Sequence, residues 1–169
     1  MLKIPVYEIK TDKNRRPYLD PIYYVSVDTD EYDLEYISEM GRMLDDAFDV
    51  SNLFDEFMYV IGADAQLNIL GIFVADKGSS FHAEIKTRET LMFALLSGSD
   101  RLFLFHNHPT GGLQPSKADY LGSYSMMASA ASVGIQMRSH AIIADNDVNV
   151  FFHRCEDDED DEDEEDDDE

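Results

Sequence analysis

The apolar positions of this chain switch repeatedly between a two-residue and a roughly 3.6-residue period, the alternation that separates strands from helices. Two short strand-like runs, 4–9 and 22–27, flank a polar turn at 12–17. From residue 30 to 49, Leu34, Ile37, Gly41, Leu44 and Phe48 recur at helical spacing, which predicts an amphipathic helix over that stretch. Strands are expected at 57–63 and 69–75, a helix at 87–97, a strand at 101–106 and a helix at 116–133, with Gly134 as its C-cap. Two closing strands, 136–144 and 147–153, meet at an Asp145-Asn146-Asp147 turn and form a hairpin. No internal repeat is present, and the order of elements implies an α+β domain of three α/β/α layers around a mixed sheet.

One segment carries chemistry as well as structure. The buried run Arg101-Leu102-Phe103-Leu104-Phe105 leads into His106-Asn107-His108-Pro109, and Ser116-Lys117-Ala118-Asp119 follows. Side chains alternate faces along a strand, so His106 and His108 share one side and Asn107 takes the other. Pro109 and the Gly111-Gly112 pair turn the chain. Ser116 then falls at the N-cap of the next helix and Asp119 in its first turn, from which the carboxylate can return to the two imidazoles. Two His and one Asp leave a fourth tetrahedral position for water, the pattern of a catalytic zinc site. Each part has an ordinary explanation too: a histidine at a strand end packs or faces solvent, and Ser-x-x-Asp is a capping pattern with the acid favoured by the helix dipole. No packing rule requires all of them together.

His106-x-His108-Pro109, six residues, then Ser116-x-x-Asp119 matches the JAMM metallopeptidase signature, also called MPN-plus. The wording His-Asn-His-Pro-Thr-Gly, three residues, Pro-Ser-Lys-Ala-Asp resembles the RadC-like branch, with Thr110 where that branch usually has Ser. Thr87-Arg88-Glu89 is similar to the branch's Pro-Arg-Glu, and Ser139-His140-Ala141-Ile142-Ile143-Ala144 to its Asp-His-Leu-Ile-Ile-Gly strand, so the resemblance spans about 54–153. It implies the cytidine-deaminase-like JAB/MPN fold, with Zn2+ held by His106, His108 and Asp119. It also implies a glutamate general base just before the first core strand, where Glu56 stands. Glu84 and Glu89 are nearer the motif in sequence but sit in different contexts, at or before a helix start. Ser116 is then placed to donate a hydrogen bond to a developing oxyanion. The implied reaction is hydrolysis of a peptide or isopeptide bond in a protein or peptide substrate by metal-activated water, without a covalent intermediate. Two readings of another class stand beside it: a protein-binding module that keeps the fold without turnover, and a DNA-repair-associated accessory protein, the latter suggested by the branch's traditional label alone.

Other motifs fade on inspection. In HNH nucleases the three residues are dispersed over a ββα unit, whereas here they are contiguous. Zinc deaminases need a P-C-x-x-C pair, and this chain has one cysteine, Cys155. His140, in an apolar strand, is expected to pack in the core or orient a group near the site, while His82 and His153 are expected at the surface. Lys77 to Ser80 suggests a mobile loop near the site.

Composition sets the remaining limits. Of 169 residues, 44% are hydrophobic, with ten Phe and nine Tyr, enough for one globular domain. The net charge is −23, and the fourteen residues 156–169 are all Asp or Glu, leaving −9 for the rest. Such a block repels itself and is expected to be disordered, as a solvating tail or a polyanion that contacts a basic partner. An acidic body with an acidic tail argues against direct nucleic-acid binding, which depends on Lys and Arg. With no basic-then-apolar N-terminus, no apolar run near ~18 residues and no pair of cysteines, the expected location is the cytoplasm. The expected organisation is an N-terminal β/α extension over 1–50, a RadC-like JAMM domain over 51–154 and the acidic tail over 155–169. Residues 1–50 lack the Gly-rich hairpin expected of a helix-hairpin-helix module.

Overall fold

The computed structural model describes residues 1–78 and 84–154. Seven strands form one sheet: β1 Leu2–Thr11, β2 Pro17–Val27, β3 Phe57–Ala63, β4 Ile69–Lys77, β5 Arg101–Asn107, β6 Gln136–Ala144 and β7 Asp147–His153. Their order is β2-β1-β4-β3-β5-β6-β7. The β1/β4 and β5/β6 pairs are parallel and the other neighbours antiparallel, so the sheet is mixed. Among the described residues, three α-helices cover it: α1 Ile37–Phe48, α2 Thr87–Ser97 and α3 Lys117–Ala131.

The alternation of the central strands explains the layers. Tyr59, Ile61, Phe103 and Phe105 join Met40, Met43 and Leu44 of α1 in one buried cluster. Met58, Val60, Leu102 and Leu104 point the other way and meet Phe93 of α2 and Met126 of α3 in a second. The sheet is thus apolar on both faces in its middle, as a covered sheet must be. The point between α1 and β3 where an N-terminal extension was expected to end is bridged by packing. Ile4 and Val6 of β1 lie in the α1-side core with residues of β3, β5 and β6.

Two helix boundaries differ from the apolar pattern. The first helix begins at Ile37 rather than at residue 30. Asp28 accepts the Asp30 N–H at 3.1 Å and Asp33 accepts the Glu35 N–H at 3.2 Å, so acidic side chains hold residues 28–36 in successive turns. At the other end of the site helix, Ser132 rather than Gly134 is the C-cap. Gly134, at φ +77°, closes the helix instead: its N–H reaches Ala131 O at 3.0 Å and Ile135 N–H reaches Ala130 O at 3.0 Å. The final hairpin turns on Asp145 and Asn146, both left-handed at φ 54° and 59°.

Among the described residues, no helix is long and apolar enough to cross a membrane. His82, Cys155, the acidic run 156–169 and the far part of the expected loop at 79–80 lie outside the described residues.

Candidate metal centre

The site forms where the carboxyl end of β5 meets the start of β3 and the N-terminus of α3. Strand β5 carries Leu102, Leu104 and His106 toward the α2/α3 side, so His106 continues a buried apolar row and is 1% exposed. The antiparallel β3/β5 register pairs Met58 with His106. Continuing it by two residues sets Glu56, just before β3, beside His108, just after β5. Glu56 is buried at 6% exposure.

Asn107 faces the opposite side, and its side chain spans the residues around Glu56. Its Oδ1 accepts the Phe57 N–H at 2.7 Å and its Nδ2 donates to Asp55 O at 3.2 Å. The Glu56 carbonyl accepts the Gly78 N–H at 2.8 Å. Backbone on both sides of Glu56 is therefore tied down, which fixes where the carboxylate emerges.

His108 lies one residue beyond the strand. Its Nδ1 is 3.0 Å from the Gly112 carbonyl, and Gly111 N–H reaches His108 O at 3.0 Å. Gly112, at φ +91°, holds a left-handed backbone that an L side chain would strain, and this conformation turns its carbonyl toward the imidazole. Asn149 Nδ2 donates to Leu113 O at 2.7 Å and secures the loop.

Helix α3 supplies the remaining groups. Ser116 is its N-cap and forms a capping box with Asp119. Ser116 Oγ accepts the Asp119 N–H at 3.2 Å, and Asp119 Oδ2 accepts the Ser116 N–H at 2.6 Å. The cap leaves the other Asp119 oxygen 3.5 Å from His106 Nε2. The capping bond uses Ser116 Oγ only as an acceptor, so the hydroxyl proton is not spent on it.

Three of the five expected residues, Glu56, His106 and His108, form one close group, and Asp119 approaches its two imidazoles. His106 Nε2 is 3.0 Å from His108 Nε2 and 3.9 Å from Glu56 Oε1, and His108 Nε2 is 4.0 Å from Asp119 Oδ2. Ligand atoms of Glu56, His106 and His108 all lie within 4.8 Å of one another, a group able to hold a metal ion. The distances test the fit. A tetrahedral zinc with Zn–N near 2.0–2.1 Å separates two ligand atoms by roughly 3.3 Å. The His106–His108 separation of 3.0 Å and the His106–Asp119 separation of 3.5 Å bracket that value within a few tenths of an ångström. Two imidazoles and two nearby carboxylates, largely shielded from water, form a donor set that suits a divalent cation.

Two groups behind His106 complete the arrangement. His140 Nε2 is 2.8 Å from His106 Nδ1, and Ser123 Oγ is 2.8 Å from His140 Nδ1. Burial pushes the His140 imidazole well below its usual range, and the neighbouring His106 and His108 push it the same way. Phe151 packs its ring 4.8 Å from that of His140 and 6.2 Å from that of His106. Sequence reasoning placed His140 near the site but gave no role to Ser123 or Asn107. Ser123 stands one helical turn after Asp119, a spacing that offered a signal; Asn107 offered only its opposite facing.

The sequence profile of the RadC-like JAB domain matches residues 35–156. Similar proteins include UPF0758 proteins of Finegoldia magna (32% identical over 92 residues, 54% of this chain and 41% of the relative) and Lactococcus lactis subsp. cremoris (31% over 116 residues, 69% and 50%). A third, from Bordetella petrii, is 32% identical over 99 residues, covering 59% of this chain and 44% of the relative. The chain spans half or less of the length of these curated relatives. The profile covers the strand, turn and helix that build the centre, and by that match the chain belongs to the RadC-like JAB domain family.

Proposed function

We propose that this chain is a zinc-dependent hydrolase that cleaves a peptide or isopeptide bond in a protein or peptide substrate. The observation that carries the reading is the grouping of two imidazoles with the Glu56 carboxylate, and the Asp119 carboxylate 3.5 Å from His106, on a JAB-family domain. His106, His108 and Asp119 are the ligands in this reading, because His106 Nε2 lies closer to Asp119, at 3.5 Å, than to Glu56, at 3.9 Å. A zinc ion held there supplies a Lewis acid and a water acidic enough to ionise near neutral pH.

The side chains of the protein do the rest. Glu56 takes the proton from the attacking water and delivers it to the leaving amine, acting as base and then acid. The Asn107 clamp keeps its carboxylate at a fixed distance from both imidazoles, so little rearrangement is needed between the two transfers. Ser116, at the helix N-terminus, donates its hydroxyl proton to the oxygen on which negative charge develops. A cleft of about 350 Å³ beside Asp119 and His140, lined by Met58, Ile85, Leu121 and Gly122, offers a place for an apolar side chain of the substrate.

The test is cleavage of a panel of peptides and of ubiquitin-like isopeptide conjugates by the zinc-loaded full chain and by Glu56→Gln. The substitution is expected to retain zinc and to lower turnover by about 10²–10⁴-fold, the usual worth of a general base. Undiminished cleavage by Glu56→Gln would remove the base from the mechanism, and a wild-type protein that holds zinc but cleaves nothing would favour a binding module.

A further inference from the structure

We propose that Ser123 and His140 form a tautomer lock, a two-residue relay that keeps the Nε2 lone pair of His106 aimed at the metal position. The proposal rests on reading the centre as a metal site, and is independent of whether that site hydrolyses anything.

The direction of the relay follows from one acceptor that has no choice. Ser123 Oγ lies 2.6 Å from the carbonyl oxygen of Asp119, four residues earlier in the same helix. A carbonyl can only accept, so the single hydroxyl proton of Ser123 is committed to it. Toward His140 Nδ1, 2.8 Å away, the hydroxyl must therefore accept, which puts a proton on Nδ1. His140 is 1% exposed with the Phe151 ring against it, a setting that favours an uncharged imidazole, so its Nε2 carries a lone pair. That lone pair faces His106 Nδ1 at 2.8 Å, and the bond between them requires the proton to be on His106 Nδ1. His106 Nε2 is left with a lone pair.

On His108 the Gly112 carbonyl, 3.0 Å away, holds a proton on Nδ1 and leaves Nε2 turned toward His106. The two Nε2 atoms face each other at 3.0 Å, close to the spacing of two ligand atoms on one tetrahedral ion. The lock excludes the alternative that would otherwise satisfy the metal-free site. Without it, His140 Nε2–H would donate to His106 Nδ1, and His106 Nε2–H would donate to His108, consuming the lone pair needed for the ion. The same Ser123 hydroxyl is bonded to the backbone of Asp119, so one side chain holds both a ligand's tautomer and another ligand's position. Ser123 and His140 are positioning residues, since they act on the metal position only through His106 and Asp119.

The experiment uses the full chain. Zinc affinity is measured by competition with a chromophoric chelator, and the imidazole tautomers of the metal-free protein by long-range proton–nitrogen NMR. Wild type is expected to show His106 protonated at Nδ1. Ser123→Ala is expected to bind zinc about 10–100-fold more weakly, the usual cost of losing a group that orients a metal ligand, and to shift His106 toward protonation at Nε2. Ser123→Thr should stay within about two-fold of wild type, because a threonine hydroxyl makes the same bond to the carbonyl four residues back. A folded Ser123→Ala with unchanged affinity and tautomer, or a wild-type His106 protonated at Nε2, overturns the lock. Should Ser123→Ala fail to fold, the wild-type tautomer decides alone. Should wild type bind no zinc, the metal reading falls while the spectrum still decides the relay.

Discussion

His106 and His108 are two residues apart and face one point, yet their surroundings are built from different materials. His106 sits inside β5, 1% exposed, with its ring against His140 and Phe151 and its Nδ1 bonded to a side chain on the neighbouring strand. His108 stands past the strand end, with a side chain 20% exposed, and its ring is oriented by a backbone carbonyl in a glycine turn. One imidazole is held by the core and the other by a loop. Equal contributions to metal binding should therefore come with unequal contributions to folding.

The largest effect expected is on zinc. His106→Ala and His108→Ala should each weaken binding by at least about 100-fold, as the loss of one of three protein ligands implies. Their stabilities should part company. Metal-free His106→Ala should lose about 2–4 kcal/mol in urea unfolding, from a cavity plus an orphaned His140 nitrogen. Metal-free His108→Ala should lose less than about 1 kcal/mol, as partly exposed positions do. Equal losses in the two variants would contradict the contrast between core-held and loop-held ligands.

A smaller effect is expected on the far side of the strand. Asn107→Ala removes both partners of the backbone around Glu56, which should cost about 1–3 kcal/mol of stability. It should lower turnover by roughly 10-fold or more while leaving zinc affinity within a few-fold, because the misplaced group is the base and a 1 Å displacement is costly to catalysis. A drop in zinc affinity with unchanged turnover per bound ion would show that Asn107 serves the ligands instead. The smallest effect should follow Gly112→Ala. A side chain at φ +91° costs about 1–2 kcal/mol, read as a fall in melting temperature, with a few-fold loss of zinc affinity as the Gly112 carbonyl shifts away from His108.

The same contrast explains what was legible in the sequence. The elements from residue 57 onward follow directly from local pattern: Arg101 to Phe105 is apolar and ends in a Pro/Gly turn, and the last hairpin turns on Asp145-Asn146. Spacing alone also placed His106 and His108 on one face, and Ser116 and Asp119 in a helical first turn. The start of α1 was misjudged because Leu34 keeps the helical period while Asp28 and Asp33 divert the backbone into turns, a competition that periodicity does not register. Nothing local announces that β1 lies beside β4, or that Asn107 reaches residues about fifty positions earlier. The partners that orient His106 come from β6 and α3, and such contacts become visible only once the sheet is assembled. Family resemblance supplied Glu56 as base; the β3/β5 register supplies the physical reason it lies near the imidazoles.

Isothermal titration of the metal-free full chain with zinc tests the central claim most directly, run side by side with His106→Ala so that weak cation binding to the acidic run 156–169 is seen as a common background. A single tight site per chain that vanishes in His106→Ala is the expected result. Absence of a tight site in wild type, or a tight site that survives the substitution, would contradict it.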